Sequence, residues 1–255
     1  MAREGGWRGA DGPMKTMKLT AVLSVALLAA LSAQAQDSFR NLNFEQADPV
    51  IDPEGTPYPY AVTAASALPG WTVYLGSVQQ TDVIQNLYAI NQASVDIFGP
   101  NYPAAVPGGS PGVIDGNYSI MLQAGNLPES PTDVGASIEQ TGFIPPIIQS
   151  LEFKAYTWTP STAFSVFLDG EDLTPMAIGS GANYTLYAVN ISSYAGQTAT
   201  LEFTALFTDG RSSGLGLDDI SFSTNVVASP EPNLVALSAI GGLLFGARKW
   251  FPRRG

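Results

Sequence analysis

The 255-residue chain contains no histidine and no cysteine, so carboxylates, hydroxyls, amides, aromatic rings and a few cations must carry whatever chemistry it does. Imidazole acid–base catalysis, thiolate nucleophiles, disulfides and the usual zinc or copper centres are excluded. Carboxylates can still hold a hard cation, since calcium takes about six to eight oxygen ligands. They can also work as an acid and base pair across a cleft, at a separation of roughly 5 to 10 Å. The chain carries 22 Asp and Glu against 11 Lys and Arg, a formal charge of −11. The cations crowd the ends: between residues 36 and 229 only Arg40, Lys154 and Arg211 stand against 19 acids, leaving that region near −16. A phosphate-binding surface needs clustered Lys or Arg, so a nucleic-acid partner is disfavoured. An acidic body suits divalent cations or neutral ligands such as sugars.

Sugar recognition needs exposed aromatic faces that stack on a pyranose, with amides or carboxylates beside them. Trp71, Tyr74, Tyr156 and Trp158 are the candidates for a glycan platform. Trp158 sits where a strand runs into Thr159-Pro160, a loop-edge position, whereas Trp71 after Pro69-Gly70 also fits a core site. The acids of the body occupy no recognisable catalytic motif. Asp169, Glu171, Asp172 and Asp209 fall at turn signals, where such residues serve the local backbone, so no enzyme is expected.

The elements that must position these side chains are strands. Residues 36–228 show no apolar pattern of helix length, only short β-branched and aromatic runs separated by Gly, Pro, Asn and Asp. Leu151, Phe153 and Ala155 alternate with Glu152, Lys154 and Tyr156, as a half-buried antiparallel strand requires. Phe164, Val166 and Leu168 repeat the pattern, and Asp169-Gly170 is a turn signal that reverses the chain. Further strands are expected at Leu201 to Ala205 and Leu217 to Phe222. In the looser first half they are expected at Trp71 to Leu75, Val83 to Leu87, Ser94 to Phe98 and Tyr118 to Leu122. About ten short strands imply an all-β fold, a two-sheet antiparallel β-sandwich with jelly-roll connections over residues 36–223. A linker, 224–229, follows.

Both ends read as addresses. Leu19 to Leu31 is apolar behind Lys15 and Lys18, and Ala33-Gln34-Ala35 has the small-x-small form that signal peptidase cuts. Residues 14–35 are therefore expected to be a signal helix cleaved after Ala35, and 1–13 an over-extended start. At the far end Pro230-Glu231-Pro232 precedes the apolar run Leu234 to Ala247, and Arg248-Lys249 opens a basic close. The prolines hold an extended, protease-accessible segment, the apolar run makes a short transmembrane helix, and the cations stay cytoplasmic. This order, with Gly241, Gly242 and Gly246 in the apolar run, resembles the PEP-CTERM sorting signal over residues 230–255. The resemblance implies processing by an exosortase in the envelope of a Gram-negative bacterium and delivery to the cell surface or extracellular polysaccharide. An ordinary C-terminal tail anchor is the competing reading.

The body opens with Asn41-Leu42-Asn43-Phe44-Glu45 and closes with Gly216-Leu217-Asp218-Asp219-Ile220-Ser221-Phe222. Together with Pro69-Gly70-Trp71 and the Val166 to Gly170 hairpin, these ends resemble jelly-roll domains of the galactose-binding-like or carbohydrate-binding-module type. That resemblance implies that Glu45 and Asp219, with Asp218 in reserve, ligate a structural calcium. The alternative is that these acids form exposed edges or accept from turn N–H groups. The combined expectation is an exported, exosortase-processed structural or adhesive sandwich. Its alternative is a carbohydrate-binding module, and a glycoside hydrolase stands third.

Overall fold

The computed structural model describes residues 38–52, 60–87, 92–102, 112–127, 130–157, 164–208 and 210–227. The chain divides into two compact units, Met1–Asp37 and Ser38–Gly255. The signal segment and its Ala33 and Ala35, the sorting tail from Pro230 to Arg254, and Trp158 lie outside the described residues. Among the described residues no helix is long and apolar enough to cross a membrane.

The body is a sandwich of two sheets. The larger has eight strands in the order β1 (Ala61–Thr63), β4 (Asp82–Gln85), β5 (Ser94–Phe98), β6 (Ser119–Gln123), β16 (Gly214–Ser223), β10 (Ser150–Thr157), β14 (Thr185–Asn190) and β13 (Met176–Ser180). The smaller has six: β12 (Glu171–Leu173), β11 (Phe164–Leu168), β15 (Thr198–Ala205), β9 (Ala136–Phe143), β2 (Thr72–Leu75) and β3 (Val78–Gln80). A two-stranded ribbon, β7 (Gly125–Asn126) and β8 (Asp133–Val134), stands apart. Neighbours within the sheets pair antiparallel, except β4 with β5, which run parallel. A single helical turn, α1 (Ala64–Ala67), links β1 to β2.

Period-2 alternation sends one face of each strand into the space between the sheets. Leu151, Phe153, Leu215, Leu217, Ile97 and Ile120 come from one side, and Val73, Ile138, Val166, Leu168, Leu201 and Phe203 from the other. Phe153 lies at the centre, edge-on to Phe203 at 5.1 Å and stacked on Tyr187 at 5.5 Å. Apolar area removed from water at about 25 cal/mol per Å² makes this layer the main driving force for folding.

Two strands depart from inside-apolar, outside-polar alternation. All five residues of β5 and all five of β6 are buried, and Tyr102, just beyond β5, stacks on Phe98 at 4.1 Å. Asp96 is fully buried, with one carboxylate oxygen bonded by Ser94 at 2.7 Å and the other without a hydrogen-bond partner.

The Asp169-Gly170 turn forms as expected, with φ of +49° and +78° at its two residues. Both central residues at positive φ make a type I′ turn, whose twist matches the β11–β12 hairpin. The final strand is longer than the sequence pattern suggests and carries a bulge. Lys154 pairs with Asp218 and Glu152 with Ser221, so Asp219 and Ile220 together face the single residue between them on β10. Asp219 takes a φ of +47° there, the left-handed conformation Asp tolerates better than most residues.

Candidate functional site

The opening motif folds onto that bulge. Asn41 is the organiser: its carbonyl accepts from the Trp71 indole N–H at 3.0 Å and from the Phe44 N–H at 3.3 Å, and its side-chain oxygen accepts from Gln46 N–H at 3.0 Å. Phe44 then enters the core beside Trp71, with ring centroids 6.0 Å apart. Leu42 carbonyl accepts from Ile220 N–H at 2.9 Å, stitching the opening segment to the closing strand. Glu45 is thereby swung over the turn Asp115-Gly116-Asn117, and the three segments enclose a cleft of about 190 Å³ lined by Asn43, Glu45, Asp115, Gly116, Asp218 and Asp219.

The three acids singled out in the sequence, Glu45, Asp218 and Asp219, thus meet in one place, and Asp115 joins them. Glu45 accepts from the N–H groups of Asn117 and Tyr118 at 2.7 and 2.9 Å and from the Asn117 amide at 2.9 Å. Burial pulls its carboxyl upward, but these donors outweigh burial and hold it below its ordinary value. Gly116 takes a φ of +60°, the left-handed region that glycine adopts freely, and a Cβ there would displace the Glu45 carboxylate from its seat. Asp218 is 1% exposed and accepts from Ser119 Oγ at 2.6 Å, Asp115 N–H at 3.0 Å and Asp219 N–H at 2.7 Å. Burial dominates these bonds and, with the Asp219 charge, pushes its carboxyl up to about 7.

Lys154 supplies the counter-charge. Its Nζ bonds Asp115 and, at 2.9 Å, Asp219, and lies 5.2 Å from the Tyr184 ring centroid. The contact to Asp115 leads the effects that raise the lysine, and the same contact leads those that lower the Asp115 carboxyl. The ammonium stands between two of the acids, and among the described residues no three carboxylates converge as a metal-binding group. The donor set is nonetheless all oxygen and fourfold acidic, which is the chemistry of a hard cation.

The aromatic candidates do not share a surface. Trp71 is 6% exposed and belongs to the core, its N–H spent on Asn41. Tyr156 is half-buried on the outer face of the eight-stranded sheet, opposite Gly216. Tyr74 projects from the outer face of the six-stranded sheet and donates to Glu139 at 2.9 Å. Around it lie Thr72, Glu139, Glu202 and Phe167, all partly exposed and placed in one row by strand register. Sequence reasoning passed over Asp115, Lys154 and this row. The Asp-Gly-Asn turn signal at 115–117 and the alternation of Ser137, Glu139 and Thr141 against Ile138 were the available clues.

No family model matches the chain, and no curated protein does. Among solved structures it is similar to TmCBM61 in complex with β-1,4-galactotriose, at 9% identity over 73% of this chain and 97% of that one, with a TM-score of 0.37. It is also similar to the enzymatically active domain of tailspike protein 4 of bacteriophage CBA120, at 14% identity over 61% of this chain and 19% of that one, with a TM-score of 0.33. A third is the xyloglucanase domain of NopAA, a type three effector from Sinorhizobium fredii, in complex with cellobiose, at 8% identity over 65% and 98%, with a TM-score of 0.28. Likeness at this level transfers neither ligand nor site residues.

The buried acids set a pH dependence. Asp218 titrates near 7 when folded against an ordinary 3.8, so its stabilising contribution is complete below the lower value and is lost as pH rises through the higher one. Asp96, raised by burial, acts in the same direction; Glu45 and Asp115, both lowered, oppose it only at the acid end. Without added metal, urea denaturation should show stability falling by a few kcal/mol between about pH 4 and about pH 7. Asp218→Asn should flatten that slope, and an unchanged slope would count against the assignment.

Proposed function

We propose that the protein is an exported, non-catalytic carbohydrate-binding module of the cell envelope or extracellular matrix. The observation that carries the proposal is the outer face of the six-stranded sheet, where Tyr74 and Phe167 remain partly exposed among Ser, Thr and Glu side chains. Rings stack on the apolar face of a sugar, and the polar side chains between them accept from and donate to its hydroxyls. The acids of the cleft, by contrast, are each held by protein donors, an arrangement suited to closing the fold rather than to acid–base turnover. Binding of the full chain to a panel of polysaccharides, measured by affinity electrophoresis, should weaken about tenfold or more with Tyr74→Ala or Phe167→Ala. Tyr156→Ala should leave it unchanged. Absence of binding to every polysaccharide would return the body to a structural or adhesive role.

We propose in addition that this cleft takes a structural calcium. Glu45, Asp115 and Asp219 would hold it, Lys154 would yield its place, and the ion would supply charge balance between the opening and closing segments. A metal bound to the folded state alone stabilises by linkage, about 2.7 kcal/mol at a hundred times its dissociation constant. For a body of this size that raises Tm by roughly 5 to 10 °C. Chelator should remove the gain and Glu45→Ala should make the protein indifferent to both; equal melting of the parent with calcium and with chelator would remove the metal from the account.

Export and sorting rest on residues 14–35 and 230–255. In an exosortase-bearing host, intact-mass analysis should find a chain that begins at Gln36 and ends near Pro230. Glu231→Ala should leave the protein uncleaved and membrane-held, and normal maturation of that variant would overturn the sorting assignment.

A further inference from the structure

On the outer face of the six-stranded sheet, strand register places Glu139 directly opposite Glu202. Like charges directly opposed on an antiparallel pair destabilise a sheet, so an uncompensated pair costs the fold something. Neither glutamate has a cationic partner among the described residues: Tyr74 donates to Glu139 and Thr204 to Glu202, at 2.9 and 2.6 Å, and both recorded ion pairs belong to Lys154. The closeness of the two charges is felt by Tyr74, whose hydroxyl is raised first by its bond to Glu139 and then by burial and the charges of Glu139 and Glu202.

The row continues on both sides. Glu139 faces Thr72, Glu202 faces Phe167, and Phe167 faces Asp172. Tyr74, one row along on β2, and Phe167 on β11 therefore flank the carboxylate pair, three inter-strand steps across and two residues along, about 16 Å apart. Two rings with a double negative charge between them complement a polymer that offers sugar faces at both ends and positive charge in the middle.

We propose that this row binds an amino-bearing glycan, a polysaccharide with free ammonium groups, and that Glu139 and Glu202 together receive one ammonium while Tyr74 and Phe167 stack on the flanking residues. The proposal rests on the carbohydrate-binding reading above and names its ligand class. Its counterpart in stability is that removing the charge pair relieves the sheet while releasing the ammonium.

The test uses chitosan oligosaccharides, their fully N-acetylated counterparts and polygalacturonate against the full chain, by titration calorimetry. Chitosan oligosaccharides should bind about tenfold or more tightly than the acetylated form, and polygalacturonate should not bind. The double variant Glu139→Gln with Glu202→Gln should lose that preference, keep its affinity for the acetylated oligomer, and melt at a higher temperature than the parent. The variant Asp133→Asn with Glu152→Gln removes the same charge from outside the row and should bind as the parent does. If it loses as much affinity as the first pair, attraction is to bulk acidity and the inference fails. If the acetylated oligomer binds as tightly as chitosan, the ammonium assignment fails and the carbohydrate-binding reading survives. Binding of none of the three overturns the ammonium assignment, and the polysaccharide panel then decides the carbohydrate-binding reading.

Discussion

The hydrogen bond from Ile220 N–H to Leu42 carbonyl joins segments almost 180 residues apart in sequence, and the geometry of the cleft depends on it. It exists because β16 is bulged: a regular strand would have turned the Ile220 N–H elsewhere and put Asp219 on the opposite face from Asp218. The bulge brings both aspartates to one side, Leu42 is captured there, and Glu45 follows three residues later. Asn41 and Phe44 adopt positive φ to make that entry, at +50° and +57°. The strain is offset by Phe44 burial against Trp71 and by the bonds Asn41 gathers.

Charge then settles around the seam. Four acids in a small cleft would repel one another, and two devices hold them: backbone donors around Glu45 and Asp218, and the Lys154 ammonium between Asp115 and Asp219. A chain with only three cations between residues 36 and 229 has committed one of them here. The six-stranded sheet has no such device, and Glu139 and Glu202 face each other across two strands with only hydroxyl donors. The contrast separates a seam whose acids are held by N–H donors and an ammonium from a surface whose opposed carboxylates have hydroxyl donors alone.

Much of the fold was legible because single-faced strands announce themselves. The alternation in β10 and the Asp169-Gly170 turn are local patterns, and the structure agrees with each. The meeting of Glu45 with Asp218 and Asp219 was legible only through family resemblance. What escaped were features set by distant packing. The outer face of β5 and β6 is buried, so Ser94 and Asp96 look solvent-facing in sequence and are not. The Lys154 contact depends on the bulge register, and the Glu139–Glu202 pairing joins residues 63 apart, which no periodicity reveals. Trp71, a candidate platform whose Pro69-Gly70 neighbours also fitted a core site, spends its indole N–H inside the core.

The most direct test of the central claim is amide chemical-shift mapping of the protein titrated with a bound oligosaccharide. The account predicts that perturbations concentrate on β2, β9, β15 and β11, around Tyr74, Glu139, Glu202 and Phe167, and leave β10 and the seam undisturbed. Perturbations centred on Tyr156 and the eight-stranded sheet, or none along the Glu139–Glu202 row at saturation, would contradict it.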